Sequence, residues 1–224
     1  MTSVSDKIIH LRQLMAEQCK GFSLPEQKTY PTGLSALDEI GLPRGAVTEI
    51  VTSGPSTPGG TLLFYATLHA LLQKGESVIL VDGKDAFVPN GVSPSGLRHL
   101  LWVRCHQAWE ALKAADLAVR DGNIPLVMLF LSLNPPGELR KIPATSWHRL
   151  QLLAEKSAAT VLVFSPQAQV GCARLRLSVE GAFPLKKLHV DRDGLLPALS
   201  LQVARRRIGQ ERSTDEAIRR VACA

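Results

Sequence analysis

Gly54-Pro55-Ser56-Thr57-Pro58-Gly59-Gly60-Thr61 stands between a short apolar run, Ala46 to Val51, and a long helical stretch. A glycine-rich turn between a strand and a helix is where a phosphate-cradling loop of the pattern G-x-x-x-x-G-K-[ST] belongs. Glycines let backbone N–H groups curl around phosphate oxygens. A lysine neutralises the terminal phosphates, and a Ser or Thr hydroxyl holds magnesium. Gly54, Gly59 and Thr61 fit that pattern, and Gly60 stands where the lysine belongs. A charge-assisted bond from that lysine contributes about 1.5–3 kcal/mol, so its loss weakens nucleotide binding by at least about tenfold. It also removes stabilisation of the charge that develops during transfer. The plainer reading of the same residues is a Gly/Pro turn that carries a strand into a helix.

Two further parts of a phosphate-transfer site have expected places. A magnesium-binding Asp should end the fourth core strand, and Leu131 stands there. A water-activating Glu is expected just past the second strand, and Lys84 stands there, between Asp82 and Asp85. Three substitutions each remove a different part, so the expectation is a chain that does not hydrolyse nucleotide and needs no bound cofactor. The competing reading is a nucleotide-dependent switch with Lys84 or Arg44 replacing the missing cation.

Other constellations carry less. Arg205, Arg206 and Arg207 follow the last apolar run, with Arg212 nearby. They read equally as a contact for DNA phosphates, a dock for an acidic protein, or a solvated end. In a strand, Arg206 points away from the face that Arg205 and Arg207 share. The net charge is +6, of which residues 171–224 supply 11 − 6 = +5. Aromatic residues are 5% of the chain and none interleaves with the arginines, which argues against a single-strand stacking platform. Trp102, Trp109 and Trp147 fall at periodic positions and read as core. His99 and His106 flank Cys105, but a strand alternates its faces, so no metal site is expected. The four cysteines form no CxxC pair, which fits a reducing cytosol. No run is long enough to span a bilayer and no signal-peptide pattern opens the chain.

The elements that must position these residues follow from periodicity. Strands are expected at 46–51, 77–82, 99–104, 125–131 and 160–165. Helices are expected at 34–40, 61–74, 106–120 and 145–158, the last with Thr145 as N-cap. That alternation implies an α/β fold with a mostly parallel sheet and helices on both faces. Past residue 172, segments 173–179, 185–191 and 198–204 read as antiparallel strands, and the tail from Ser213 as a short helix. Residues 1–30 read as an arm and linker, 31–207 as the core and 208–224 as a basic tail. In the arm, Ile8, Leu11, Leu14 and Met15 recur at helical spacing. This amphipathic face is expected to pack on another chain, with folding back onto its own core as the alternative.

The segment PTGLSALDEIGLPRGAVTEI (31–50) ahead of the loop resembles the opening of the core of RecA-like recombinases. VDGKDAFVP (81–89), LLWVRC (100–105), ALKAADLAVRDG (111–122), KIPATSWHRL (141–150) and TVLVF (160–164) resemble the degenerate ImuA-type branch found in bacterial mutagenesis cassettes. The resemblance covers about residues 31–207. It implies a RecA-like P-loop fold and a cytoplasmic accessory role in SOS-induced translesion DNA synthesis. Implied partners are a Y-family-like polymerase homologue, an error-prone replicative-type polymerase subunit and RecA. DNA contact is expected to be weak, a membrane is not expected, and self-association is open. Only Gly54, Gly59 and Thr61 carry over as phosphate-loop positions. An SOS cell-division inhibitor of the same fold is the other class of function the resemblance leaves open.

Overall fold

The computed structural model describes residues 28–52, 58–181, 183, 189–207 and 220–222. The arm positions Ile8, Leu11, Leu14 and Met15, and the loop residue Gly54, lie outside the described residues. In chain order the strands and helices are β1 (Thr29–Tyr30), α1 (Ser35–Ile40), β2 (Leu42–Pro43), β3 (Val47–Val51), α2 (Pro58–Gln73), β4 (Val78–Asp82), α3 (Pro94–Leu97) and β5 (Leu100–Arg104). There follow α4 (Ala108–Asp121), β6 (Leu126–Phe130), α5 (Pro136–Arg140), α6 (Ala144–Ser157), β7 (Thr160–Ser165), β8 (Leu175–Glu180), α7 (Arg192–Leu195), β9 (Ser200–Arg206) and β10 (Arg220–Ala222).

β1 and β2 form a small antiparallel pair, and the other eight strands form one sheet in the order β10-β9-β8-β3-β7-β6-β4-β5. All pairings from β8 to β5 are parallel; only β9 and β10 run antiparallel to their neighbours. Both faces of the inner part of the sheet are covered, which is why β4, β6 and β7 are buried throughout, whereas β8 alternates apolar and polar residues. On one face α2 packs Phe64 over Phe130, ring centroids 4.3 Å apart, with Phe164 edge-on at 5.3 Å. On the other face α4 and α6 pack Ala111, Ala115, Trp147 and Leu150 against Val127, Leu129 and Val163.

Several expectations need correction. β8 and β9 pair antiparallel as expected of 173–179 and 198–204, but β8 also joins the parallel core, pairing with β3 on its other side. The chain leaves β7 at the end of the sheet where β3 also ends, and residues 166–174 run back across β3 without a helix before β8 begins. His189 and Val190 of the expected strand 185–191 lie in a turn, and Asp191 leads into α7; 184–188 lie outside the described residues. Thr145 does not cap α6. Pro143 precedes the helix, whose start carries no side-chain cap. Of the expected tail helix, 213–219 lie outside the described residues and Arg220–Ala222 pair with β9 as a strand. Trp109 is exposed rather than core, whereas Trp147 is buried.

Candidate nucleotide site

β3 lies inside the sheet between β8 and β7 and ends at Val51, and α2 begins at Pro58; residues 53–57 between them lie outside the described residues. Thr52 follows the strand and is anchored twice, its N–H donating to Ser165 O at 2.9 Å and its Oγ1 to the same oxygen at 3.2 Å. Gly60, in the first turn of α2, lies against it. A Cβ at Gly60 would stand 2.0 Å from Thr52 Cγ2 and 2.3 Å from Thr52 Cβ. The position that needs a lysine is therefore closed to any side chain while Thr52 keeps its place. Gly59 is also approached, by Leu199 Cδ2 at 3.0 Å from its would-be Cβ. Thr61 is half-buried one residue further on.

Leu131 and Lys84 are likewise absorbed. Leu131 is fully buried, and its Cδ2 would lie 2.6 Å from a Cβ on Gly83. Asn134 Oδ1 closes the same spot at 2.4 Å, and Asn134 Nδ2 donates to Gly83 O at 2.8 Å. Lys84 Nζ stands 3.4 Å from Glu138 Oε1 and donates to His106 O at 3.3 Å. The hydrogen bond from Asn134 Nδ2, then that from Ala108 N–H and the Lys84 charge, hold the Glu138 carboxyl below the usual glutamate range. Asp82 and Asp85 are not loose surface charges. Asp82 is buried and accepts from Phe87 N–H at 2.7 Å, which fixes the turn after β4. Asp85 takes a two-pronged contact from Arg104 at 2.6 and 2.8 Å, and that contact pulls its pKa down. Arg44 lies before β3, at the far end of a strand about 16 Å long, with its guanidinium over the Tyr30 ring at 5.1 Å. Both replacement cations of the switch reading are thus engaged elsewhere.

The arginine run is split by the pleat. Arg205 Nη2 donates to the carbonyls of Val170 and Ala173 at 3.1 and 3.4 Å, while Arg206 reaches the opposite side and donates to Ile40 O. Arg207 is exposed. Burial first, then the Arg176 and Arg207 charges, push the Arg205 pKa down. Cross-strand pairing sets Glu49, Arg176 and Arg205 side by side on β3, β8 and β9.

Glu49 was missed by sequence reasoning, and it is fully buried. Its Oε1 accepts from Ser165 Oγ at 3.2 Å, Gln169 N–H at 2.6 Å and Val170 N–H at 2.9 Å; its Oε2 accepts from Arg176 Nε at 2.6 Å. Backbone donors buried away from water need partners. In the crossing segment Glu49 takes the Gln169 and Val170 N–H groups, while Gly171 N–H and Ala173 N–H donate to Gln169 O and Val170 O and Arg174 N–H to Val47 O. The only signal in the sequence is a lone acid inside an apolar strand.

Cys105 is buried, and burial first, then the Glu110 and Asp82 charges, push its thiol pKa up. Among the described residues no group of three or more His, Cys, Asp or Glu could hold a metal ion. Among the same residues no helix is long and apolar enough to cross a membrane.

A mostly parallel sheet with β3 between β7 and β8, helices on both faces and antiparallel strands near the C-terminus fits a RecA-like core. RecA proteins are among the curated proteins that match. The chain is 36% identical to Protein RecA of Clavibacter michiganensis subsp. michiganensis over 108 residues, 44% of this chain and 28% of that protein. It is 31% identical to Protein RecA of Xylella fastidiosa strain M12 over 117 residues, 49% of this chain and 33% of that protein. It is 33% identical to Protein RecA of Chlorobaculum tepidum over 116 residues, 48% of this chain and 33% of that protein. The chain spans roughly a third of the length of the curated relatives it matches. No family model matches it.

Proposed function

We propose that this protein is a non-hydrolysing RecA-like accessory protein of DNA repair, an adaptor of the ImuA type in SOS-induced translesion synthesis. One observation carries the reading. The loop position that holds the phosphate lysine is a glycine packed on an anchored threonine, with its would-be Cβ 2.0 Å from Thr52 Cγ2. A loop that had lost only its lysine would keep room for one. Here the neighbouring side chain has taken the space, and Leu131 has done the same beside Gly83. The residues present do not fit a magnesium nucleotide, so no catalytic step is assigned to them. What remains is an α/β body whose surfaces offer protein contacts. The proposed partners are a Y-family-like polymerase homologue, an error-prone replicative-type polymerase subunit and RecA.

The test is co-purification of the full chain with each partner, with and without ATP. The reading expects capture of at least one polymerase-type partner or RecA, unchanged by ATP. Capture that requires ATP would turn the reading into the nucleotide switch, and capture only of a tubulin-like division protein would turn it into the cell-division inhibitor.

A further inference from the structure

The outer face of α4 and α6 carries an apolar groove that the candidate nucleotide site does not use. α4 faces the sheet with Ala108, Ala111, Ala115 and Val119, all buried. On its outer side Trp109, Lys113, Asp116, Leu117 and Arg120 recur at i, i+4, i+7, i+8 and i+11, so they form one stripe. Arg149 of α6 stands alongside, and the two helices enclose a groove of about 340 Å³ with Leu112 at its floor.

The groove is apolar inside and cationic at its rim. Trp109 is 45% exposed and Leu117 63% exposed. Large apolar side chains clustered at one place on a surface mark interaction sites; single ones do not. The rim holds Lys113, Arg120 and Arg149 against Asp116, which is 3 − 1 = +2. Asp116 is already spent, since Arg120 Nη2 lies 2.6 Å and Arg149 Nε 2.8 Å from its oxygens. Lys113 Nζ sits 5.1 Å from the Trp109 ring centroid, which holds the indole in place over the groove. The stripe runs for about three turns, or ~16 Å along the helix.

We propose that this groove binds an acidic amphipathic helix. Its apolar anchors seat on Trp109 and Leu117, and its carboxylates meet Lys113, Arg120 and Arg149. Charge complementarity selects this occupant over the alternatives. A second copy presenting the same face brings the same rim of Lys113, Arg120 and Arg149 and so meets it with like charge. The chain's own segment 6–19 brings Asp6 and Glu17 against Lys7 and Arg12, 2 − 2 = 0, and so offers no complement. The proposal deepens the adaptor reading and rests on it only in taking the ligand to be a protein segment.

The probe is a three-turn helical peptide without tryptophan, with leucines on one face and glutamates flanking them, titrated into the full chain. Its partner probe has every glutamate replaced by lysine. The acidic peptide should bind, shift tryptophan emission to the blue, and weaken as salt rises from about 0.05 to 0.5 M. The lysine peptide should not bind. Leu117→Glu, at an exposed position, should weaken the acidic peptide by roughly tenfold or more without lowering Tm. Lys113→Glu at the rim serves the same purpose should Leu117→Glu fold poorly. Equal binding of both peptides, or no effect of either substitution, overturns the proposal. So does a dimer in sedimentation that Leu117→Glu dissolves while the acidic peptide fails to bind. Partner capture that persists in Leu117→Glu sinks the groove and leaves the adaptor standing. Peptide binding lost in Leu117→Glu, with no partner captured by the wild type, sinks the adaptor and leaves the groove.

Discussion

Gly60→Lys restores the loop's missing cation on paper, and the packing opposes it. A Cβ at that position meets Thr52 Cγ2 at 2.0 Å and Thr52 Cβ at 2.3 Å. Thr52 cannot swing aside freely, because it is stiff at χ1 and its Oγ1 is bonded to Ser165 O. Overpacking of this kind costs about 1–3 kcal/mol. Loss of the Thr52 hydroxyl bond costs about 1 kcal/mol more. Removing a helix glycine returns at most about 1 kcal/mol. The net is a loss of about 1–3 kcal/mol, a fall in Tm of roughly 2–12 °C for a chain of this size. The assay is thermal and urea unfolding of wild type, Gly60→Ala, Gly60→Lys, Thr52→Gly and the Thr52→Gly/Gly60→Ala pair. Alanine and lysine should be destabilised alike, since the Cβ is at fault. The pair should recover at least about 1 kcal/mol of coupling. A Gly60→Lys protein that melts at or above the wild type and binds ATP would refute the reasoning.

Three further outcomes follow from the same structure. Glu49→Gln removes the charge that faces Arg176 in a buried site and should cost about 3–5 kcal/mol in urea unfolding; a loss under about 0.5 kcal/mol would mean that the crossing segment does not depend on it. The Tyr30 phenol is pushed up to about 12 by burial first and then by its bond to Glu76 Oε2 at 3.0 Å. Because the folded value lies above the ordinary 10.0, its stabilisation is whole below pH 10.0 and is lost as pH rises through about 12. Alkaline ultraviolet titration of Tyr65→Phe, which leaves one tyrosine, should show that late transition, and an ordinary one near 10.0 would contradict it. Ala158 ends α6 in the left-handed region at φ 55°, so Ala158→Gly should raise stability by about 0.5–1 kcal/mol in thermal unfolding; no gain would show that the turn tolerates the Cβ.

Much of the fold was legible where a local pattern and a tertiary role coincide. Val78–Asp82, Leu126–Phe130 and Thr160–Ser165 are buried on both faces, and their continuous apolar runs said so. The periodicity of α4 likewise marked its buried stripe. The parallel pairing of β8 with β3 was not legible, because it depends on a segment that crosses β3 without a helix, where the distant Glu49 takes the Gln169 and Val170 N–H groups. The tail defeated the reading for a related reason: Arg220–Ala222 take their conformation from pairing with β9, not from their own pattern. At the candidate site, the substitutions at Gly60, Lys84 and Leu131 could be read from spacing. That Thr52, Gly83 and Asn134 close the same spaces could not, since those contacts join residues that no motif connects. Arg205 and Arg206 were expected to diverge by strand alternation, and they do. Nothing in the sequence showed that both guanidinium groups would be engaged by carbonyls. Trp109 failed as a core residue because its position on α4 looks outward, and that exposure is what opens the α4–α6 groove.

The central claim is that this RecA-like core does not turn over ATP. Its most direct test is steady-state ATP hydrolysis by the purified full chain with Mg²⁺, wild type beside Thr61→Ala, with and without DNA. The account predicts that the two proteins are indistinguishable from each other and from the blank under every condition. A rate above background that Thr61→Ala abolishes would contradict it.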